Sequence, residues 1–211
     1  MKVIIVRHAQ TDENVKQVTQ GQGIDSSLNE EGINQAKKLG QHLKRETITY
    51  AYVSPLERAV HTAREILAHH PSAQLIKAPH LKEQNLGIYE GKGKEDWKEV
   101  KKNSKEPFHL FKPEGGESYE DLQERVKIFF SGLVDMHEND TLLLVSHAGT
   151  LGMLYLHLFD KPLTEENYKS HKPKNTAFTI LEIFSARGGS AAGGKAYSIK
   201  IHKINSLEHL S

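Results

Sequence analysis

The sequence contains no cysteine among its 211 residues. This absence excludes disulfide bonds, catalysis by a thiolate and metal sites built from cysteine ligands. Long apolar runs are also missing, because no stretch approaches the roughly 20 apolar residues that a membrane-spanning helix needs. Met1 and Lys2 lead directly into a strand-like run, without the pattern of a signal peptide. We therefore expect a cytoplasmic protein that does not enter a membrane.

A large excess of charge of either sign is missing as well. The chain has 28 Lys and Arg residues against 27 Asp and Glu residues, which gives a net charge of +1. A protein that binds nucleic acid through its overall charge would carry a clear basic excess. The composition thus argues against a nucleic-acid partner but allows a local basic pocket. The chain length suits one hydrophobic core, and we predict a single domain over residues 1–211.

Short apolar runs alternate with helical patterns along most of the chain. Apolar residues recur at helical spacing between these runs, and an apolar helix is expected near 150–159. Such alternation predicts a three-layer α/β/α domain, with a mainly parallel central sheet between two layers of helices. The predicted strands lie at 3–6, 49–53, 73–79, 141–145, 176–184 and 197–204.

Capping residues indicate where the helices begin. Asn29 precedes one amphipathic pattern, and Ser118 with Asp121 resembles a capping box at the start of another. We also expect a helix to start at Ser54 and Pro55, because serine is a good cap and proline suits a first helical turn.

Two stretches lack a regular pattern. Residues 84–117 contain Gly, Lys and Pro and are predicted to leave the sheet and form a roof over the ligand pocket. Residues 185–196 are rich in glycine and are predicted to form a loop between the last two strands. The second stretch is too short to link two domains.

Basic and imidazole side chains follow the ends of the best strands. Arg7 and His8 follow the first strand, His147 follows the strand at 141–145, and Arg58 lies one helical turn beyond another strand. Ligands of open α/β sheets bind at the carboxyl ends of the strands. Paired guanidiniums favour a tetrahedral oxyanion, so phosphate is the expected ligand. A neutral imidazole is a competent nucleophile toward its phosphorus atom.

A leaving alkoxide needs a proton, and the stretch KEQNLGIYEG at 82–91 supplies two candidate donors. They are Glu83 and Glu90, and the residues alone do not decide between them. Arginine beside histidine adds positive charge and disfavours a metal ion. We therefore expect neither a metal nor a cofactor.

Five motifs in order carry a resemblance to a known family: RHAQTDEN, SPLERAVHTA, LKEQNLGIYEG, GGES and VSHAG. Together they resemble the phosphoglycerate-mutase-like branch of the histidine phosphatase superfamily. The resemblance implies that His8 accepts the phosphoryl group and that Glu83 protonates the leaving oxygen and later activates water. It also implies that Arg7, Arg58 and His147 hold the phosphoryl group.

The same resemblance assigns further residues to the substrate pocket. They are Asn14, Gln20 and Gly21, together with Ala148 in the VSHAG motif. Helix capping is the alternative role of Asn14, and a plain turn is the alternative for Gln20 and Gly21. Ala9 stands where the family usually has glycine, which matters only if the backbone there needs a positive φ.

The mutases of this family carry Glu-Arg-His-Tyr at the donor position, whereas this chain has Glu-Gln-Asn-Leu at 83–86. This difference favours a phosphatase, acting on a small phosphorylated metabolite, over a mutase. Three stretches, 18–36, 111–118 and 204–210, resemble fructose-2,6-bisphosphatases of the TIGAR type. Fructose-2,6-bisphosphate or a phosphoglycerate is thus a candidate substrate, and the basic stretch at 169–175 is either a second anion site or a solvated loop. A phosphoglycerate mutase and a non-catalytic phospholigand-binding module stay as alternatives, as do a monomer and a homodimer.

Overall fold

The computed structural model describes residues 1–185 and 197–211. In this part of the chain, six strands form a single mixed sheet in the order β3-β2-β4-β1-β5-β6. They are β1 (Lys2–Arg7), β2 (Tyr50–Val53), β3 (Gln74–Lys77), β4 (Thr141–Ser146), β5 (Phe178–Ser185) and β6 (Tyr197–Ser206). The first four strands are parallel, whereas β5 pairs antiparallel with β1 on one side and with the edge strand β6 on the other. The predicted α/β class with a mainly parallel sheet is confirmed.

Helices cover both faces of this sheet. The described residues form α1 (Asp12–Val15), α2 (Glu30–Leu43), α3 (Glu57–Leu67), α4 (Lys94–Asn103), α5 (Tyr119–Met136), α6 (Ala148–Leu158) and α7 (Glu165–His171). Single 3-10 turns occur at Pro79–Leu81, Gly87–Tyr89 and Glu208–Leu210. No helix in these residues is both long enough and apolar enough to cross a membrane.

The central strand β1 shows how the sheet separates two hydrophobic cores. Val3 and Ile5 pack in the core beneath α5 and α6. Ile4 and Val6 point to the opposite face and pack in the core beneath α2 and α3. Successive side chains of a strand alternate between the two faces, and both faces are covered here. The central residues of a strand in this position must be apolar on both faces, which explains the unbroken run at 3–6.

The register of the strands brings three carboxyl ends to one rim. Arg7 pairs with Ser146 where β1 and β4 end, and Val53 pairs with Val145 where β2 ends. The residues that follow these strands are therefore neighbours in space although they lie far apart in the sequence. The chain enters the antiparallel β5 at the same rim, because Phe178 pairs with Val6.

Two of the three predicted helix starts are confirmed. Asn29 accepts a hydrogen bond from the Gly32 N–H, and Ser118 forms a capping box with Asp121. The predicted start at Ser54 is wrong. Helix α3 begins at Glu57 without a side-chain cap. The Ser54 N–H still donates to the Val145 carbonyl, so the sheet pairing continues one residue beyond the strand.

The roof segment, residues 84–117, leaves the sheet between β3 and α5 and contains α4. Its first half is fastened to the loop that precedes α2, because the Gly91 N–H donates to the Thr19 carbonyl and the Thr19 N–H donates to the Lys92 carbonyl. At its far end, the ring of Phe108 stacks on that of Tyr119 at 4.1 Å between centroids. The predicted loop at 185–196 lies, beyond its first residue, outside the described residues.

Candidate active site

A cavity of about 250 Å³ opens at the carboxyl ends of β1, β2 and β4, beneath the roof segment. Most of the residues expected at the site line this cavity, which agrees with the rule that open α/β sheets bind ligands at this edge. The lining includes Arg7, His8, Asn14, Gln20, Gly21, Arg58, Glu83 and Ala148.

His8 lies at the floor of the cavity with a defined arrangement of its two ring nitrogens. Its Nδ1 is 2.7 Å from the carbonyl oxygen of Ala9, which only accepts hydrogen bonds, so Nδ1 carries the proton. The other nitrogen, Nε2, therefore carries the lone pair. Burial, reinforced by the charges of Arg58 and Arg7, lowers the pKa of His8 well below its ordinary value. The ring is thus neutral and nucleophilic at physiological pH.

His147 is fully buried and lies behind His8, with 5.1 Å between the ring centroids. Arg58 Nε donates to His147 Nδ1 over 3.2 Å, so the proton is on Nε2, which donates to Ser54 Oγ over 2.7 Å. Burial and the nearby Arg58 lower the pKa of His147 well below its ordinary value. His147 is not part of the cavity lining, although the resemblance implied that it holds the phosphoryl group.

Arg58 and Arg7 bring two guanidiniums to the cavity. Arg58 is only 1% exposed, and besides His147 it binds the carbonyl oxygens of Gly21 and Ile24. Arg7 Nη1 donates to the Pro173 carbonyl. Burial lowers the pKa of Arg7 to about 10, so it stays a cation at neutral pH. Both groups are held by the protein before any ligand binds, which is the preorganisation that anion binding requires.

The carboxyl group of Glu83 lies at the start of α6. Its Oε1 accepts hydrogen bonds from the N–H groups of Gln84 and Thr150, at 2.9 and 3.1 Å. Its Oε2 accepts one, from the Gly149 N–H at 3.1 Å. Oε2 therefore has fewer donors around it than Oε1 and keeps more capacity for a further hydrogen bond, and Glu83 lines the cavity.

Glu90, the other candidate proton donor, has a structural role. Its Oε1 accepts from the N–H groups of Gln22 and Leu86, and its Oε2 accepts from that of Gly23. The carboxylate packs so closely that a Cβ on Gly21, which has a φ of +53°, would lie 2.0 Å from its Oε1. Glu90 is not part of the cavity lining. The geometry therefore favours Glu83 over Glu90.

Asn14 combines the two roles that the sequence left open. It closes the capping box of α1, in which its Oδ1 accepts from the Thr11 N–H, and it also lines the cavity. Asn175 Nδ2 donates to the same oxygen over 3.0 Å. Since both partners are donors, the oxygen is fixed toward them and the Nδ2 donor is directed away from them.

The hydrogen bonds of Gln20 and Ala9 define the roles of these two residues. The amide of Gln20 donates to Thr11 Oγ1 and accepts from Ser26 Oγ, so this side chain braces the loop that lines the cavity. The backbone of Ala9 has no positive φ, and its N–H donates to Thr62 Oγ1 over 2.9 Å. Alanine in place of glycine therefore causes no backbone strain here.

Several lining residues were not assigned from the sequence. The basic stretch at 169–175 pointed to Lys172, which lines the cavity, but Lys94 and Tyr168 carried no sequence signal. Trp97, in α4, was likewise not assigned a role at the site. Its ring contacts those of Tyr89 and Phe111, each at 5.5 Å between centroids, and it also lines the cavity.

Arg125 supports Glu83 from behind the cavity. Its guanidinium forms a two-pronged ion pair with Glu117, at 3.1 and 2.8 Å, and both side chains are about four-fifths buried. The same guanidinium donates to the backbone carbonyls of Lys82 and Glu83, at 3.1 and 3.4 Å. Arg125 is thus a positioning residue for the segment that carries Glu83.

The fold and this site define a class of protein: an α/β domain that offers a neutral imidazole, two guanidiniums and a carboxyl group to a small anion. Residues 3–191 match the profile of the histidine phosphatase superfamily (branch 1). The chain belongs to this superfamily.

Individual relatives agree with this assignment. The chain is 37% identical over 132 residues to fructose-2,6-bisphosphatase TIGAR B of Danio rerio, a match over 61% of this chain and 51% of that protein. The chain thus spans about half the length of this relative. It is 32% identical over 194 residues to phosphoserine phosphatase 1 of Hydrogenobacter thermophilus, covering 89% of each. The solved structure of YhfR from Bacillus stearothermophilus superposes with a TM-score of 0.82 at 27% identity, over 100% of this chain and 99% of that one.

Proposed function

We propose that the protein is a metal-independent phosphatase that hydrolyses small phosphomonoesters through a phosphohistidine at His8. One observation carries this proposal: the fixed tautomer of His8 leaves Nε2 unprotonated in a cavity that also contains Arg7, Arg58 and Glu83. A nucleophile, its charge-stabilising cations and a proton donor are the parts that phosphoryl transfer through a covalent intermediate needs.

In the first step, His8 Nε2 attacks phosphorus while the bond to the leaving oxygen breaks. Arg7 and Arg58 stabilise the charge on the non-bridging oxygens of the phosphoryl group. Glu83 gives its proton to the leaving oxygen, so the product departs as an alcohol. The Nδ1–H···O bond to Ala9 stabilises the positive charge that develops on the ring.

In the second step, water takes the place of the departed alcohol. Glu83, now a carboxylate, accepts a proton from this water as its oxygen attacks phosphorus. The bond between phosphorus and Nε2 breaks, inorganic phosphate forms, and His8 and Glu83 return to their initial states. His147 supports both steps by holding Arg58 at its Nε, whereas its own ring nitrogens are committed to Arg58 and Ser54.

The substrate we propose is a small phosphorylated metabolite, with fructose-2,6-bisphosphate and phosphoglycerates as the leading candidates. A cavity of about 250 Å³ suits a molecule of this size. The relatives differ in the substrate that their names state, since one is a fructose-2,6-bisphosphatase and another a phosphoserine phosphatase. A panel of phosphomonoesters with phosphate detection tests the choice among them.

Replacing His8 tests the catalytic proposal directly. His8→Ala should lose phosphate release from p-nitrophenyl phosphate and should give no acid-quenched phosphoenzyme with labelled substrate. The native protein should give both. His69→Ala, which alters an exposed histidine outside the cavity, should behave like the native protein.

These assays, together with measurements of phosphate binding and of phosphoglycerate isomerisation, separate the alternatives. Native-like phosphate release by the His8→Ala variant would refute the proposal. Tight binding of phosphate without any phosphoenzyme in the native protein would identify a binding module instead. Faster movement of phosphate between positions of phosphoglycerate than release to water would identify a mutase.

A further inference from the structure

A turn at 174–177 precedes β5 and holds two residues that line the active-site cavity. The side-chain nitrogen of Asn175, in this turn, donates two hydrogen bonds of 3.0 Å each, one to the His8 carbonyl and one to Asn14 Oδ1. The His8 N–H donates to the Ser146 carbonyl over 2.9 Å. Both polar groups of the His8 main chain are thus bound, and Asn175 provides one of the two anchors.

Asn175 also decides which way the amide of Asn14 points. The Asn14 oxygen accepts from Asn175 and from the Thr11 N–H, so the Asn14 nitrogen is directed away from both donors. Asn14 lines the cavity, where this nitrogen is a donor for an oxygen of a phosphoryl group. A neutral donor helps such a reaction only while its orientation is fixed before the substrate binds. The orientation of Asn175 therefore matters for the cavity as well as for the turn.

Thr176, the next residue of the turn, has an unfavourable backbone conformation. Its φ is +54°, in the left-handed region that β-branched residues rarely adopt. The residue is fully buried, and its hydroxyl donates to the Asn175 carbonyl over 2.8 Å. Such a conformation persists only where the surrounding contacts enforce it, and it occurs most often near functional sites. The contacts of Thr176 thus decide where Asn175 is held.

His209 provides one of these contacts. It belongs to the 3-10 turn Glu208–Leu210 and is only 8% exposed. Its Nε2 lies 3.0 Å from Thr176 Oγ1, and because the hydroxyl gives its proton to the Asn175 carbonyl, Nε2 is the donor in this bond. Burial and the nearby His42 lower the pKa of His209 to about 4, so the ring is neutral at physiological pH and has a single N–H.

The other nitrogen of this ring shows that His209 does more than fill space. Its Nδ1 is buried and has no hydrogen-bond partner within residues 1–185 and 197–211. A buried polar atom without a partner costs free energy, which an apolar side chain of similar size would avoid. What an apolar side chain could not provide is the N–H that binds Thr176.

We infer that His209 is a positioning residue for the reaction at His8. Through the Thr176 hydroxyl it fixes the turn that carries Asn175. Asn175 then fixes the His8 main chain and the amide of Asn14. The inference rests on the proposed function and adds to it a chain of three residues that acts on the site from outside the cavity.

Removing the links one at a time tests this inference. Thr176→Val keeps the β-branched shape without the hydroxyl, Asn175→Leu keeps a branched side chain without the donor, and His209→Ala removes the ring. Each should lower kcat/KM for p-nitrophenyl phosphate about tenfold, the effect of one hydrogen bond to a charged group. Each should also raise, by a similar factor, the inhibition constant of orthovanadate, which imitates the phosphoryl group in the transition state. Assays are run well below the melting temperature of each variant.

Three further variants distinguish positioning from a purely structural role. His209→Gln places an amide nitrogen where Nε2 lies and should recover near-native kcat/KM. The double variant His209→Ala/Asn175→Leu should be no slower than Asn175→Leu alone, because both residues act through the same turn. Glu208→Gln, in the same 3-10 turn, weakens surface ion pairs with His42 and Lys203 and should keep native kinetics.

Native kcat/KM in both Thr176→Val and Asn175→Leu would refute the inference. Fully additive losses in the double variant would refute it too, as would a loss in His209→Gln equal to that in His209→Ala. If His209→Ala does not fold, the double variant Thr176→Val/Asn175→Leu makes the same comparison.

Failure of the proposed function gives a different result. If the native protein releases no phosphate from any substrate, the proposed function is wrong, and calorimetric binding of inorganic phosphate then tests the positioning by itself. Asn175→Leu and Thr176→Val should bind phosphate about tenfold more weakly than the native protein. Native affinity in both variants would show that the turn does not position the site.

Discussion

Gly149 gives the sharpest test of the role of Glu83, because a single methyl group placed there would displace the carboxyl group. Gly149 is the second residue of α6 and donates its N–H to Glu83 Oε2. A Cβ on this residue would lie 2.5 Å from Glu83 Oε1, against at least 3.4 Å for ordinary contact. The carboxyl group must therefore move by about 1 Å, a displacement that can cost about 100-fold in rate.

Activity and stability should respond differently to Gly149→Ala. Alanine in a helix is more stable than glycine by about 0.5–1 kcal/mol, and this gain offsets a weakened bond to Glu83. We expect a native-like melting temperature together with a loss of about 100-fold in kcat/KM for alkyl phosphates such as glycerol 3-phosphate. The loss should be smaller with p-nitrophenyl phosphate, whose leaving group needs little protonation.

Two control variants isolate the effect of the displaced carboxyl group. Gly132→Ala lies inside α5, where a Cβ would contact nothing within 4 Å, so it should raise stability and leave activity unchanged. The gain of about 0.5–1 kcal/mol corresponds to a rise of about 1–4 °C in melting temperature for a chain of this size. A methyl group on Gly149 would also lie 2.9 Å from the Tyr168 hydroxyl. Tyr168→Phe removes this hydroxyl and shows what its loss does by itself. A Gly149→Ala variant that folds normally and hydrolyses glycerol 3-phosphate at the native rate would refute the assignment of Glu83 as proton donor.

Three other features of the site give measurable expectations. Burial and the charge of Arg58 lower the pKa of His8 and of His147, so NMR titration should find both rings neutral well below pH 6.5. The unfolded chain then binds protons first, and the free energy of unfolding should fall by about 1.4 kcal/mol per pH unit for each ring as the pH drops below about 6.5. A flat pH dependence would contradict this. Arg125→Met leaves Glu117 unpaired and should lower the free energy of unfolding by roughly 1–3 kcal/mol in denaturant titrations, with a lower kcat; native values in both would refute the positioning role. Dialysis against EDTA should leave turnover unchanged, because no proposed step uses a metal, and strong inhibition would overturn the mechanism.

The fold class could be predicted because its signals are local. The unbroken apolar run of β1 requires burial on both faces, and only a sheet covered by helices on both sides provides this. Capping at Asn29 and Ser118 likewise depends on residues within one helical turn. Ser54 shows where local reasoning fails. Its hydroxyl has the chemistry of a helix cap, but the ring of His147, a distant residue in the sequence, binds it instead.

The sequence by itself determined the alternation of strands and helices. It further determined that Arg7 and His8 lie at the end of a buried strand. It also supplied the motifs that identify the superfamily. Only the tertiary structure decided that Glu83 rather than Glu90 lines the cavity and that His147 lies behind His8. The tertiary structure likewise placed the lysine of α4 in the cavity that contains Lys172. The physical reason is range: hydrophobic periodicity and capping act between neighbours in the chain, whereas hydrogen bonds and charges at a site depend on which distant segments the folded chain brings together.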